Sequence, residues 1–272
     1  MLTQNINALI QTALNEDIGS GDITTDNLID PKLTGRCVIV AKEPMVLAGI
    51  DIARQVFQHL DARMEFQALL SDGDTADTGA SLARVQGNLA ALLKGERTAL
   101  NFLQRLSGIA TNVAAYARLL QDAPVQLVDT RKTTPGWRVL EKYAVRMGGA
   151  HNHRMGLYDG VLIKDNHIAA FGGVAASISH IRKHVSHLVK IEVEVSSLAQ
   201  VEEALKVGVD VIMLDNMALA DIEKAVAMIR HAALVEVSGN VTQARLPALA
   251  DTGVDIISIG ALTHGARSVD IS

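Results

Sequence analysis

The chain has 272 residues, of which 49% are hydrophobic and 20% are charged, and its formal net charge is −5. This composition excludes disorder, and the negative charge argues against a nucleic-acid partner. No apolar run reaches the roughly 18 residues of a membrane span, and the N-terminus lacks the basic start and unbroken apolar stretch of a secretion signal. Cys37 is the only cysteine, so we expect a cytoplasmic protein without disulfides.

The first hundred residues predict a mixed α and β region. A helix is expected over 5–15, where apolar residues recur at helical spacing. Short apolar runs separated by turn residues predict strands at 37–41 and 45–48. A helix near 50–60 and a strand near 83–86 complete this region.

From about residue 124 onward, strand-length apolar runs alternate with helical patterns, which predicts βαβ units and a parallel sheet. Strands are expected at 125–128, 160–163, 188–195, 209–214, 234–237 and 256–259. Helices are expected between them, at 139–147, 174–185, 198–207 and 219–231. Six units are fewer than a closed barrel needs, and no glycine fingerprint of a dinucleotide site follows a strand.

Polar or glycine residues lie at the carboxyl end of each of these predicted strands. They are Asp129–Lys132, Lys164–His167, Glu194, Asp215–Asn216, Ser238–Asn240 and Gly260. A single polar strand end is common in turns, but six in succession predict a site, because α/β barrels gather their catalytic groups at the carboxyl ends of strands. The glycine turns after the last two strands are also where barrels often bind phosphate.

The predicted strand at 188–195 places Lys190, Glu192 and Glu194 on one face. Strands of a parallel sheet are normally apolar on both faces. We therefore expect the charged face to point into a barrel interior, where a carboxylate needs a cation, a hydrogen-bond donor or a metal. The alternative is an exposed edge strand.

Residues 129–167 contain seven lysines and arginines against four acidic residues. Arg138, Lys142 and Arg146 are spaced by four and are expected to line the solvated face of a helix. The other cations predict a small polyanionic ligand, and they lie at strand ends or in a loop: Arg131, Lys132, His153, Arg154 and Lys164. His151 and His153 could bind a metal, but no third soft ligand is apparent.

These motifs resemble those of the quinolinate phosphoribosyltransferase family. The matching strings follow the family's order along nearly the whole chain, at 16–25, 96–111, 129–136, 152–157, 162–167, 192–195, 213–216, 237–240 and 260–264. The chain departs from the usual pattern at Ala150, where a third glycine is common, and at Asn240, where a glycine is frequent. Asparagine tolerates a positive φ, so the second departure is mild.

The resemblance implies an α/β fold in two domains. An N-terminal α+β sandwich domain, residues 1–108, would be followed by an open, incomplete α/β barrel of about six βα units, residues 109–272, whose last few residues could pack back on the first domain. It also implies a homodimer in which Arg97 reaches the partner's site. Without the resemblance, Arg97 is a charge on a helix surface.

The implied reaction transfers phosphoribosyl from phosphoribosyl pyrophosphate to quinolinate with decarboxylation, in NAD biosynthesis. Mg²⁺ would enter with phosphoribosyl pyrophosphate, near Glu194 and Asp215 but without an assigned protein ligand, and no organic cofactor is needed. The catalytic residues would be Lys132 at the pyrophosphate and, at the ribose, Glu194 and Asp215. The carboxylates of quinolinate would be held by Arg131, His153, Arg154 and Lys164. The 5-phosphate would lie on Ser238, Gly239, Asn240 and Gly260, with further substrate contacts from Thr130, Ser258 and Ile259.

Three alternatives stay open. A homologous phosphoribosyltransferase could accept another aromatic acid. A barrel aldolase could form a Schiff base at Lys164 if desolvation lowered the pKa of its amine. A phosphosugar-binding protein without activity would explain the glycine turns, but not Glu194 and Asp215 opposite a group of cations.

Overall fold

The computed structural model describes residues 2–272; Met1, the first residue of the expected N-terminal domain, lies outside them. The chain forms two compact units. The first comprises residues up to 114 together with 133–149 and 262–272, and the second comprises 115–132 and 150–261. Among residues 2–272, no helix is long and apolar enough to cross a membrane.

The N-terminal part of the chain contains four helices and five strands. The helices are α1 (Leu2–Ile18), α2 (Thr25–Leu28), α3 (Ile50–Leu60) and α4 (Leu89–Ala117). The strands are β1 (Thr34–Val40), β2 (Met45–Val46), β3 (Glu65–Ala68), β4 (Thr75–Ala76) and β5 (Ser81–Asn88). β1, β5 and β3 form an antiparallel sheet in that order, and β2 pairs with β4. The mixed α and β region is therefore confirmed, with β3 and β4 added to the predicted strands.

The first unit has an apolar core to which the end of the chain contributes. α3 buries one apolar face, which includes Val56 and Phe57, as its helical spacing predicts. Ile271 bridges to Ala41, and Gly108 of α4 lies so close to residue 267 that an added Cβ would be 2.1 Å from its carbonyl oxygen. The C-terminal segment is thus an integral part of this unit.

The second half of the chain carries six parallel strands and seven helices. The strands are β6 (Gln126–Val128), β7 (Val161–Ile163), β8 (Ile191–Val195), β9 (Val211–Asp215), β10 (Leu234–Ser238) and β11 (Ile256–Ser258). The helices are α5 (Arg138–Met147), α6 (Asp165–Phe171), α7 (Val174–Arg182), α8 (Leu198–Val207), α9 (Leu219–Ile229), α10 (Leu246–Ala250) and α11 (Ala261–His264).

The six strands form one sheet in the order β6-β11-β10-β9-β8-β7, so β6 and β7 are its edges. Consecutive strands from β7 to β11 are neighbours, which is the order of an α/β barrel that is not closed. The predicted α/β fold with an open, incomplete barrel of six units is therefore confirmed. Because the strands are parallel, their carboxyl ends all lie along one side of the sheet, perpendicular to its edge strands; this side is called the carboxyl edge of the sheet.

Two local predictions are wrong. Lys142 does not lie on a solvated helix face but is fully buried in α5, beside the equally buried Glu141. Spacing by four places charges on one stripe of a helix but does not say whether that stripe faces water, and a paired charge can be buried. Lys190 precedes β8 and is exposed, because the strand begins only at Ile191.

Candidate active site

The interior face of β8 carries two carboxylates, as its alternating pattern predicts. Glu192 is only 8% exposed, and the side chain of Glu194 is 12% exposed. A third carboxylate, that of Glu236 in β10, is 1% exposed. The expectation that the charged face of β8 points inward, and not into solvent, is therefore confirmed.

His153 lies against this buried acidic group. Its Nε2 is 3.1 Å from Oε2 of Glu192 and 3.7 Å from Oε2 of Glu236. Its Nδ1 accepts the backbone N–H of Arg154 at 2.8 Å. Burial and the charge of Glu192 raise the pKa of Glu236 to about 7.

Asp129 fixes the backbone on which His153 sits. Its carboxylate is fully buried after β6 and accepts the backbone N–H of His153 at 2.9 Å and the Nδ2 of Asn152 at 2.7 Å. The guanidinium of Arg154 donates from Nη1 to the carbonyl oxygen of Gly160 at 2.8 Å. The segment between α5 and β7 is therefore held at several points.

Arg131 and Arg154 bring two positive charges together near this segment. Burial first and then the charge of Arg131 lower the pKa of Arg154, so the two guanidinium groups are electrostatic neighbours. Arg131 and Lys132 are exposed, and the backbone N–H of Lys132 donates to Oγ1 of Thr130 at 3.1 Å. The residues after β6 thus form a local turn, and Arg131 and Lys132 are two exposed cations at the end of this strand.

Lys164 lies at the end of β7 and donates from Nζ to Oε2 of Glu194 in the neighbouring β8. α6 begins directly after it at Asp165. The structure therefore joins one of the predicted cations to one of the predicted catalytic carboxylates.

Two further strand ends meet at Asp215 and Ser238, which are opposite each other in the register of β9 and β10. Asn216 donates from Nδ2 to the carboxylate of Asp215 at 2.8 Å and accepts from Nδ2 of Asn240 at 2.9 Å. Gly239 has a φ of 90° and Asn240 a φ of 49°. The expected tolerance of Asn240 for a positive φ is confirmed.

The last strand end is that of β11. Ser258 and Ile259 are 3% exposed, and the backbone N–H of Ile259 donates to the carbonyl oxygen of Val128 at 3.0 Å. Gly260 follows at the start of α11. These residues place backbone groups beside β6, at the same edge of the sheet as Asp215 and Ser238.

Arg97 is exposed on α4, in the first unit. All the other predicted site residues belong to the second unit. Within that unit the structure pairs Lys164 with Glu194 and His153 with Glu192, and it places Arg131 near enough to Arg154 for its charge to lower the pKa of Arg154.

No individual role was predicted for Glu192, Asp129 or Asn216, which were expected only on the charged face of a strand or at strand ends, and Glu236 was not predicted at all. Glu236 could have been found, because residues 234–238 place one glutamate within an apolar strand, as β8 does. With His153 and Glu192 it forms the one group of three potential metal ligands that lies close together in the described chain, with ligand atoms within 4.8 Å of one another. Glu194 and Asp215 also carry carboxylate oxygens, the ligand type that Mg²⁺ prefers.

Comparisons with known proteins agree with this architecture. Residues 22–107 match the model of the quinolinate phosphoribosyl transferase N-terminal domain, and residues 109–272 match that of the C-terminal domain. The chain is 47% identical to a probable nicotinate-nucleotide pyrophosphorylase (carboxylating) of Synechocystis sp., over 98% of this chain and 91% of the relative. A protein of the same name from Bacillus subtilis is 45% identical, over 94% of this chain and 89% of the relative.

A solved structure has the same fold. The crystal structure of NadC from Streptococcus pyogenes superposes with a TM-score of 0.95 at 43% identity, covering 98% of this chain and 94% of that one. Both family models together match nearly all of the sequence from residue 22 onward. The chain therefore belongs to the quinolinate phosphoribosyltransferase family.

Proposed function

We propose that this chain transfers the phosphoribosyl group of phosphoribosyl pyrophosphate to quinolinate and that loss of CO₂ gives nicotinate mononucleotide, a step of NAD biosynthesis. The observation that carries the proposal is the meeting of cations and carboxylates at one edge of the parallel sheet, with Lys164 paired to Glu194. The names of the relatives from Synechocystis sp. and Bacillus subtilis support the same activity.

Quinolinate is a pyridine with two neighbouring carboxylates, and a site that binds and orients it must hold cations at fixed positions. Arg131 and Arg154 offer guanidinium forks, which match carboxylate geometry, and Lys164 offers a point charge. The charge of Arg131 lowers the pKa of Arg154, which an anion between the two groups would offset. His153 completes this carboxylate site.

Phosphoribosyl pyrophosphate would lie across the other strand ends. Lys132 faces its pyrophosphate, and Glu194 and Asp215 face the ribose hydroxyls. Its 5-phosphate binds to the turns after the last two strands, at Ser238, Gly239, Asn240 and Gly260, with Thr130, Ser258 and Ile259 as further contacts. The substrate enters as its Mg²⁺ complex, whose charge neutralisation adds to that of Lys132; the oxygens of Glu194 and Asp215 suit such a complex.

The reaction then follows from charge. As the bond from C1 of the ribose to pyrophosphate breaks, C1 becomes positive, and the carboxylates of Glu194 and Asp215 stabilise it while Lys132 stabilises the leaving group. The ring nitrogen, held in place by the bound carboxylates, forms the new bond to C1. The nitrogen is now cationic, so the adjacent carboxylate leaves as CO₂, its bonding electron pair stays on the ring carbon, and a proton takes its place.

The alternatives fit the site less well. A Schiff-base lysine must have its amine free to attack a carbonyl, whereas the Nζ of Lys164 is engaged by the carboxylate of Glu194. The binding of a phosphosugar without a reaction would not explain the carboxylates of Glu194 and Asp215 opposite the cations. A direct assay decides whether the substrate is quinolinate or another aromatic acid.

The assembly and location belong to the same proposal. A homodimer would bring Arg97 of one subunit to the site of its partner; its exposure on α4 leaves it accessible for such a role. Cys37 as the only cysteine is in keeping with the reducing cytoplasm.

The experiment is the release of CO₂ from carboxyl-labelled quinolinate. We expect release only when phosphoribosyl pyrophosphate and Mg²⁺ are both present, with nicotinate mononucleotide as the co-product. Lys164→Ala should abolish most of it, and the exposed Lys183→Ala should not. Absence of release under every condition would exclude the proposed function, and faster turnover of another pyridine acid would favour the homologous transferase.

A further inference from the structure

His153 stands between a backbone donor and two carboxyl groups. Its Nδ1 accepts the backbone N–H of Arg154 at 2.8 Å. A backbone amide can only donate, so Nδ1 carries a lone pair and not a proton. The single proton of the neutral ring is then at Nε2, which faces Oε2 of Glu192 at 3.1 Å and Oε2 of Glu236 at 3.7 Å.

The two carboxyl groups cannot both be fully charged without cost. Glu236 is 1% exposed and Glu192 is 8% exposed, and the Oε1 atom of each has no hydrogen-bond partner within the described residues. Two negative charges in so small and dry a space repel each other, and a shared proton relieves that repulsion. A pair with one charge can accept the N–H of a neutral imidazole and does not require an imidazolium.

The same three groups are a potential set of metal ligands, but the tautomer argues against that use. A neutral imidazole that binds a metal through Nε2 carries its proton at Nδ1. In this structure Nδ1 faces the N–H of Arg154, where a second hydrogen would collide. The cluster therefore suits a proton at Nε2 better than a metal ion.

The neighbouring residues make the arrangement rigid. Asp129 holds the backbone N–H of His153 at 2.9 Å and Nδ2 of Asn152 at 2.7 Å. Arg154 is tied to His153 by its own backbone N–H and to Gly160 by its guanidinium. The orientation of the His153 ring is thus coupled directly to the position of Arg154.

We propose that Glu192 and Glu236 are positioning residues that hold His153 as a neutral imidazole with its proton at Nε2, and that His153 in turn orients Arg154. His153 then shapes the carboxylate site without adding a positive charge to it. The charge on quinolinate is balanced by Arg131, Arg154 and Lys164. The kinetic part of this inference rests on the proposed function, whereas the tautomer can be observed without any substrate.

The first test is nuclear magnetic resonance of the full chain with ¹⁵N-labelled histidine, at neutral pH and without substrate. The His153→Gln spectrum identifies the signals of His153. We expect one protonated nitrogen, Nε2, and one unprotonated nitrogen, Nδ1. Protonation of both nitrogens, or of Nδ1 alone, would overturn the proposal.

The second test compares matched glutamate variants. Glu192→Ala removes the acceptor of the Nε2 proton, so the His153 ring is no longer held on that side and can turn away from the N–H of Arg154. We therefore expect a mixture of His153 tautomers and a rise in the KM for quinolinate of about tenfold. The kcat should stay within about threefold and the KM for phosphoribosyl pyrophosphate should not change, because the loss concerns one substrate only. Glu236→Gln keeps the size of the side chain and removes one of the two charges that would repel each other, so it should retain the wild-type tautomer, as should the exposed control Glu223→Gln.

The outcomes remain distinct. A Glu192→Ala variant with the wild-type tautomer and the wild-type KM contradicts the positioning role. If this variant does not fold, the spectra of the wild type and of Glu236→Gln still decide the tautomer. If the wild type does not turn over quinolinate, the proposed function fails while the spectrum still tests the state of His153.

Discussion

Arg131, just after β6, and Arg154, between α5 and β7, place two positive charges near each other. Burial and the charge of Arg131 lower the pKa of Arg154, so the two cations repel each other in the free protein. An anion between them converts this repulsion into attraction. Two neighbouring cations are typical of a site that binds an anion.

Arg131→Ala should therefore weaken quinolinate binding and leave folding intact, because Arg131 is exposed. Loss of a charged hydrogen bond corresponds to about a 10- to 100-fold rise in the KM for quinolinate. The melting temperature should not fall, since the change removes a charge that repels Arg154. Arg118→Ala, an exposed cation elsewhere in the second unit, is the control and should have neither effect. Wild-type affinity in Arg131→Ala would remove this residue from the carboxylate site.

At the scale of the element, the turn after β10 depends on a glycine. Gly239 has a φ of 90°, and a Cβ there would lie 2.3 Å from Oδ1 of Asn216. Asn216 follows β9 and bonds both Asp215 and Asn240. The turn is thus locked to the neighbouring strand end, and a side chain at position 239 would displace the residues proposed to bind the ribose and the 5-phosphate.

Gly239→Ala should raise the KM for phosphoribosyl pyrophosphate by about tenfold or more, since several oriented donors move together. Gly172→Ala is a matched control: its φ is 92°, but nothing lies within 4 Å of the added Cβ. That control should lose only about 1 kcal/mol of stability, from the positive φ, and keep its kinetics. Equal KM values in the two variants would mean that the clash with Asn216 is unimportant.

Two strands of the second unit, β8 and β10, each carry a buried glutamate beside His153. Glu192 in β8 and Glu236 in β10 each lie between two apolar neighbours in their strand. They are separated in the sheet by β9. Side chains of alternate strands point into the same layer of a barrel, which explains how two residues 44 positions apart in the chain come to lie beside the same imidazole.

At the scale of the whole molecule, Glu141 joins distant segments of the first unit. It is fully buried in α5 and accepts from Nε and Nη2 of Arg105 at 3.2 and 2.9 Å, and from the N–H and Oγ1 of Thr134. Arg105 also donates to the carbonyl oxygens of Thr263 and Ala266. Residues 89–117, 133–149 and 262–272 therefore share one buried polar network.

Glu141→Gln should lower the free energy of unfolding by about 3 kcal/mol, because it leaves Arg105 without its buried counter-charge. The control is Glu202→Gln, whose partner Lys206 lies at 3.0 Å on an exposed helix face. That change should stay within about 0.5 kcal/mol. Urea unfolding of both variants measures the difference, and equal midpoints would show that the network is not important for stability.

The proposed dimer makes a prediction about mixed subunits. Arg97→Ala and Lys164→Ala should each be inactive alone. When the two are mixed in equal amounts and allowed to exchange, half of the dimers contain one of each, and one of the two sites in such a dimer is intact. Activity should recover to about a quarter of the wild type. No recovery, with exchange verified, would show that Arg97 does not act in the partner's site.

Much of this architecture could be predicted from the chain alone. The periods of apolar residues predict all six parallel strands, α3 and α8, because burial in a sheet or on one helix face demands a regular pattern. The polar residues after those strands predict one site, since parallel strands end at a common edge. The motifs of the family then add Arg97, for which the local pattern contains no signal.

Other features were decided by tertiary structure, for an equally physical reason. The burial of Glu141 and Lys142 depends on which segments pack around α5, and helical spacing carries no information about that. The state of His153 depends on a buried pair of glutamates from two non-adjacent strands and on the backbone of Arg154. The sequence by itself therefore determined the fold and which strand ends carry polar groups, because both follow from local patterns, whereas burial and side-chain contacts were decided only where distant residues meet.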